Sequence, residues 1–274
     1  MSMDTVPILV LLAATILVVL IAVEAGYRLG RSVQRHGDDE KLPPVSSIVG
    51  STLGLLAFIL AFTFGMVGSR YDARKALVRN EANAIHVAWL RSDFLPEPDR
   101  GEATGLIRSY VDRRLGAVQS RDLDKIREAL AESERIQHRL WAIAVANGRR
   151  DMNSPVAALY IESVNQLIEL HALRVAVGMQ ARIPAGIWLA LYSLLSLAMI
   201  GVGYQTAIAG STRRSWASPI LALSFSLVIA LIASLDRPQS TFITVSQQPL
   251  VDVRSWMESG GQAVMPPGAS HPAR

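Results

Sequence analysis

Phe58, Phe62 and Met66 recur every four residues in a run without charge, and Arg70, Arg74, Lys75 and Arg79 follow it directly. At that spacing the three large side chains share one helix face. Repeated around a symmetry axis, rings of Phe58, Phe62 and Met66 would form a hydrophobic constriction that gates by dewetting. Arg70 and Arg74 would lie at its mouth and concentrate anions there. The same pattern also suits lipid-facing or packed side chains followed by interfacial arginines.

A second face of the same stretch is small. Gly50, Gly54, Ala57, Ala61, Gly65 and Gly68 follow one another at three- or four-residue steps. In lipid, where packing rather than release of water drives helix association, such a stripe lets backbones approach closely. It serves contact either within one subunit or between subunits around an axis. Further along, Glu81 falls between Val78 and Ile85 on an apolar side, with Asn83 nearby. A carboxylate facing a helical core needs partners, and Arg74, Arg79 or Arg91 could supply them. Glu81 and Asn83 therefore read as a structural polar node in preference to a ligand site.

Other chemistries find little footing. There is no cysteine, so disulfides, thiolate metal sites and cysteine nucleophiles are excluded. Phosphate-binding, nucleophile-elbow and zinc-protease motifs are missing, and His36, His86, His138, His171 and His271 show no metal-ligand spacing. No catalytic residue, metal or cofactor is expected. The net charge of +4 comes from basic residues interleaved with acidic ones, the pattern of solvated helix faces and not of a nucleic-acid surface.

The elements that must position these residues are helices in two solvents. Half of the 274 residues are hydrophobic, and they are gathered in blocks. A helix needs roughly 20 mainly apolar residues to cross the hydrocarbon of a bilayer. Four blocks qualify, at about 6–26, 47–68, 185–206 and 216–235. Trp188, Tyr192, Tyr204 and Trp216 fall near their ends, where amphipathic rings prefer the headgroup layer. No span carries a central charge; Glu24 and Asp236 lie at span ends, which argues against a proton-driven pump.

Between spans two and three, residues 69–184 read as four amphipathic helices. One continues from span two until Pro96 and Pro98, a second runs through Ala103 to Leu115, a third from Leu123 to near Asn147, and a fourth starts at Ser154-Pro155. A helix from about Ser47 to Asp93 would be roughly 70 Å long and would leave the bilayer. The fold class is therefore all-α, with four spans (1–68 and 185–235 as transmembrane hairpins) and a helical extramembrane domain at 69–184. The C-terminal segment, 236–274, is expected to hold an extended stretch, a helical turn or two at Pro249–Met257 and a disordered tail. Short-loop charges (Arg28, Arg31, Arg35 and Lys41; Arg213 and Arg214) place both short loops in the cytoplasm and the helical domain outside it.

The blocks LGLLAFILAFTF, RYDARKALVRNEANAI and LRSDFLP, with LDRPQSTFITVSQQPL after the last span, resemble the bestrophin-like family of bacterial integral membrane proteins. More distantly the chain is similar to bestrophins, the pentameric chloride channels of animals and bacteria. That resemblance implies an inner-membrane homo-oligomer, a pentamer by analogy, with a pore lined by span two, a neck at Phe58, Phe62 and Met66, and inorganic anions as cargo. The post-span motif Asp236, Arg237 and Pro238 is not followed by the acidic cluster with which animal bestrophins clasp calcium. The reading from a different class is a non-conducting membrane-anchored sensor or scaffold whose helical domain binds a partner.

Overall fold

In the computed structural model, residues 7–36, 45–119, 123–179, 182–209, 217–237 and 244–260 are described. They form helices α1 (Ile8–His36), α2 (Val45–Ser92), α3 (Asp99–Gln119), α4 (Leu123–Arg150), α5 (Pro155–Met179), α6 (Ala185–Ile208), α7 (Ala217–Asp236) and α8 (Gln248–Glu258), with no strand among the described residues. The chain divides into two units: residues 1–71 with 181–244, and residues 72–180 with 245–274. Only α2 belongs to both; it stays helical for 48 residues through the change from apolar to charged sequence. Four helices, α1, α2, α6 and α7, are long and apolar enough to cross a membrane.

The first unit is built on a close α1–α6 contact. A Cβ at Gly26 would lie 1.9 Å from the carbonyl oxygen of Ile200, and one at Gly203 would lie 2.0 Å from that of Val23. Only glycine permits backbones to meet at that distance, the lipid-phase packing device expected of small residues. The contact carries a polar pair as well. Thr15 Oγ1 donates to the Leu11 carbonyl at 2.8 Å, so the Tyr192 hydroxyl, 2.9 Å away, donates to Thr15. From α2, Val49, Leu56, Leu60, Thr63 and Val67 turn inward. Leu56, Leu60 and Val67 join a core with Leu191, Leu195 and Met199 of α6 and Ile229 and Ile232 of α7.

The second unit buries the apolar stripes of α2 after Tyr71, α3, α4 and α5 around one core that includes Ile85, Ile107, Leu140 and Leu167. Ala103, Ile107, Tyr110 and Val111 of α3 are buried at the spacing read from the sequence, while Leu106 and Leu115 pack at the margin. Ser154 caps α5, its Oγ accepting the Ala157 N–H at 3.2 Å, with Pro155 as the first helical residue. The third helix of the domain runs on past Asn147-Gly148 to Arg150.

The C-terminal segment departs from expectation. Instead of a turn or two, α8 makes an 11-residue helix that belongs to the second unit. Leu250 and Met257 enter its core, and Arg254 pairs with Asp112 of α3 at 2.8 Å. An apolar side at Leu250, Val253 and Met257 pays for ordering this helix by burial that the short run in isolation could not provide. Pro238, Phe242 and the tail at 261–274 lie outside the described residues.

Candidate functional site

Within the first unit, the two α2 faces singled out above are both open. Phe58 is 66% and Phe62 63% exposed, and Met66 is half-buried. These values follow from helix geometry. The buried positions Leu56, Leu60, Thr63 and Val67 occupy one side, so residues two positions removed, about 200° round, point away. The small stripe is open as well. A Cβ at Gly50, Gly54, Gly65 or Gly68 would meet nothing within 4 Å, and Ala57 and Ala61 are exposed. The glycines that mediate close backbone contact inside the chain are Gly26, Gly30 and Gly203, which the spacing argument on α2 passed over.

At the end of this apolar run, Arg70 Nη1 lies 3.6 Å from Asp236 Oδ1. Asp236 also accepts the Ile183 N–H at 3.1 Å, and its carbonyl accepts from Arg182 Nη1 at 3.3 Å. The last residue of α7 thereby fastens the start of α6 and the end of the apolar part of α2. Arg70 faces the Asp236 carboxylate, and Arg182 its backbone carbonyl. Arg237 is half-buried beside it. Arg74, in the second unit, is 8% exposed and so does not project freely into solvent.

The second unit holds a buried polar cluster centred on Glu81, which is fully buried. Tyr110 Oη donates to Glu81 Oε1 at 2.6 Å, and Arg114 Nε donates to the same oxygen at 2.9 Å. Arg174 Nη1 donates to Glu81 Oε2, while its Nη2 donates to Gln247 Oε1 at 2.6 Å. One carboxylate thus ties α2, α3 and α5 together and, through Arg174, the residue that leads into α8. Its partners are not Arg74, Arg79 or Arg91 as the sequence suggested: on the same helix, Arg79 is turned about 200° away, and Arg74 and Arg91 lie about 10 and 15 Å along the axis. Arg91 instead donates to the Leu159 carbonyl at 2.7 Å. Asn83 is exposed and takes no part in the cluster, since two residues along a helix turn a side chain to the opposite side.

The hydrogen bonds also define a histidine tautomer. Because the Tyr110 hydroxyl gives its proton to Glu81, its oxygen must accept from His171 Nδ1, 3.1 Å away. His171 Nε2 is then a buried acceptor with no hydrogen-bond partner among the described residues. Burial would raise the Glu81 pKa, but Arg114 and Arg174, helped by Tyr110, hold it below the ordinary value. Burial, with the Glu81 charge beside it, pushes the Tyr110 hydroxyl well up. Burial, with Arg114 facing the ring, pushes His171 down to about 4. The cluster accordingly holds an ionised glutamate, two charged arginines and neutral Tyr110 and His171 at neutral pH. Glu81 accepts from Tyr110, Arg114 and Arg174, the arrangement of a tie between helices. Among the described residues no group of three or more His, Asp or Glu could hold a metal ion.

The bestrophin-like domain matches residues 16–250. Comparison with curated proteins finds no match. Among solved structures, a crystal structure of a single-residue mutant of a bacterial bestrophin homologue from Klebsiella pneumoniae is similar at a TM-score of 0.60. It has 14% sequence identity over 90% of this chain and 99% of that one. A second mutant of the homologue gives a TM-score of 0.63 at 14% identity, over 93% of this chain and 99% of that one. A crystal structure described as a membrane protein gives 0.63 at 15%, covering 94% and 99%. At that identity the likeness speaks for the fold. With its four membrane-length helices and a domain match over most of its length, this chain is a membrane protein of the bestrophin-like family.

Proposed function

We propose that the protein is an oligomeric channel of the inner membrane for small inorganic anions such as chloride, with α2 lining the pore. The observation that carries this reading is the pair of phenylalanines, Phe58 and Phe62, held open on a helix whose other side is anchored in the core of its own unit. Large apolar side chains facing one another across an axis exclude water until the ring dilates, which is how a neck without charge can gate. Met66, one turn on, would complete the neck. Arg70, beside Asp236 at that end, would raise the local concentration of anions there. Arg74 is too buried to serve at the mouth, so that role rests on Arg70 alone.

The small stripe supports assembly. A Cβ at Gly50, Gly54, Gly65 or Gly68 would meet nothing within 4 Å, and a neighbouring copy could bring a helix backbone against them. A ring of copies, five by the family resemblance, would place one face of α2 on the axis and the small face against the next subunit. Two measurements test the proposal. Proteoliposomes should release chloride down its gradient, and particles in detergent should be rings with α2 facing the axis. Liposomes as tight as protein-free ones, or a monomer, would remove it.

A further inference from the structure

The outer face of α1, in the first unit, takes no part in the α2 neck. Leu11, Thr15, Val19, Ala22, Gly26 and Gly30 are the buried positions of this helix. On the opposite side, Leu17, Ile21, Glu24, Arg28, Arg31 and Arg35 follow at steps of three and four residues and so hold one stripe. It begins apolar, with Leu17 59% and Ile21 60% exposed, and turns charged at Glu24. The support behind it is close-packed. A Cβ at Gly30 would lie 2.7 Å from Ala207 Cβ and 2.8 Å from the Tyr204 carbonyl oxygen, so α1 is held against α6 at the level of the arginines.

Where the stripe changes character, Leu20, Ile21, Glu24, Ala25 and Arg28 line an open groove of about 410 Å³. One end is hydrocarbon, and the other is a guanidinium whose side chain is 78% exposed. Arg28 Nε donates to Glu24 at 2.9 Å, and a guanidinium has four further N–H donors with which to meet a second acceptor. Arg31 stands one turn on, its Cζ 6.0 Å from the centroid of the half-buried Tyr27 ring, a contact that steadies the cation beside the groove. Three arginines against one glutamate leave the stripe positive. Asp38, Asp39 and Glu40 come only after the last residue of α1.

We propose that this face of α1 binds an anionic glycerophospholipid. One acyl chain lies along Leu17, Leu20 and Ile21, and the phosphate meets Arg28 and Arg31, neighbours on the helix surface. Exposed basic side chains at the end of a span attract anionic headgroups, and the apolar groove beside them takes the chain that a free phosphate lacks. A second copy fits the face poorly, because a two-fold axis through it would set arginine against arginine. The site depends neither on conduction nor on the pore assigned to α2.

The chain has no cysteine, so Leu17→Cys gives the full-length protein a single thiol, one turn from the groove, to carry a fluorophore. The labelled protein is placed in phosphatidylcholine vesicles doped with phosphatidylglycerol or phosphatidylcholine bearing a nitroxide on its acyl chain, which quenches on contact. The phosphatidylglycerol should compete for the site roughly five-fold better than the phosphatidylcholine, the size of one arginine contact at a membrane surface. Adding Arg28→Gln and Arg31→Gln should bring the two lipids level. Quenching by the phosphatidylcholine should stay as it was, which shows that α1 still lies in the bilayer. Equal quenching by both lipids before the arginines are changed, or a preference that survives their loss, would overturn the proposal. So would a label that neither lipid quenches, since protein would then cover the face.

Discussion

Acidification should loosen the helical domain through His171, and the effect can be sized from its surroundings. The groups that face the imidazole are Tyr110 and Arg114 from α3, Glu81 from α2 and Arg174 from its own helix. In the folded protein its pKa is down to about 4; in an unfolded chain it is about 6.5. Between those values the unfolded state binds the proton and the folded state does not. Stability is therefore full above about pH 6.5 and falls as the pH drops, with the whole contribution gone below about 4. From pH 7 to 4.5 the loss is roughly 2.5 kcal/mol, at 1.36 kcal/mol per unit of pKa difference. Glu81, with its pKa lowered, adds a loss of its own only below its unfolded value near 4.5, so the chosen window isolates the histidine. His171→Asn keeps a donor where Nδ1 was and cannot titrate. Hydrogen exchange of α3 and α5 amides, converted to opening free energies at each pH, reads the difference. The wild type should lose roughly 2.5 kcal/mol more than the variant across this window. Equal pH dependence in the two proteins, or wild-type amides that become better protected on acidification, would refute the reasoning.

Other substitutions separate the parts of the structure. Glu81→Ala leaves Arg114 and Arg174 buried without their counter-ion and should cost about 3–5 kcal/mol of domain stability in the same exchange experiment. Gly203→Val drives a side chain into the Val23 carbonyl and should abolish recovery of folded protein. A Cβ at Gly54 meets nothing within 4 Å; Gly54→Val should leave the subunit folded while shifting the detergent particle to a smaller species on a sizing column. Reporter fusions after Pro98 should be active only outside the cytoplasm if the short-loop charges govern orientation, and the reverse result would place the helical domain inside.

Much of this architecture was legible because its signals are local. Contiguous apolar blocks mark membrane-length helices whatever their neighbours, and the 3.6-residue spacing of Val78, Ala82 and Ile85 marks a buried stripe from one segment alone. The node at Glu81 was half legible. That a carboxylate on an apolar stripe needs partners follows from sequence; that they are Arg114 and Arg174 depends on which helices pack, 33 and 93 residues away. A signal was present nonetheless: Arg114 continues the buried face of Tyr110 one turn on, and His171 and Arg174 continue that of Leu167. Reading interleaved charges as solvated helix faces hides them. The small stripe on α2 shows the limit from the other side, since spacing tells where a backbone could approach and not which helix does. Gly26 and Gly203, separated by most of the chain, make the close contact instead. The three-turn α8 was underread because its apolar residues gain their worth only from the core of a distant segment.

The claim of an anion pore along α2 is tested most directly by ionic current. Purified protein in a planar bilayer with a chloride gradient should carry a current that reverses toward the chloride equilibrium potential. Phe62→Ala, on an exposed face where no core packing is lost, should raise that current by widening and wetting the neck. Membranes no more conductive than protein-free controls, or a Phe62→Ala current indistinguishable from the wild type in size and selectivity, would contradict it.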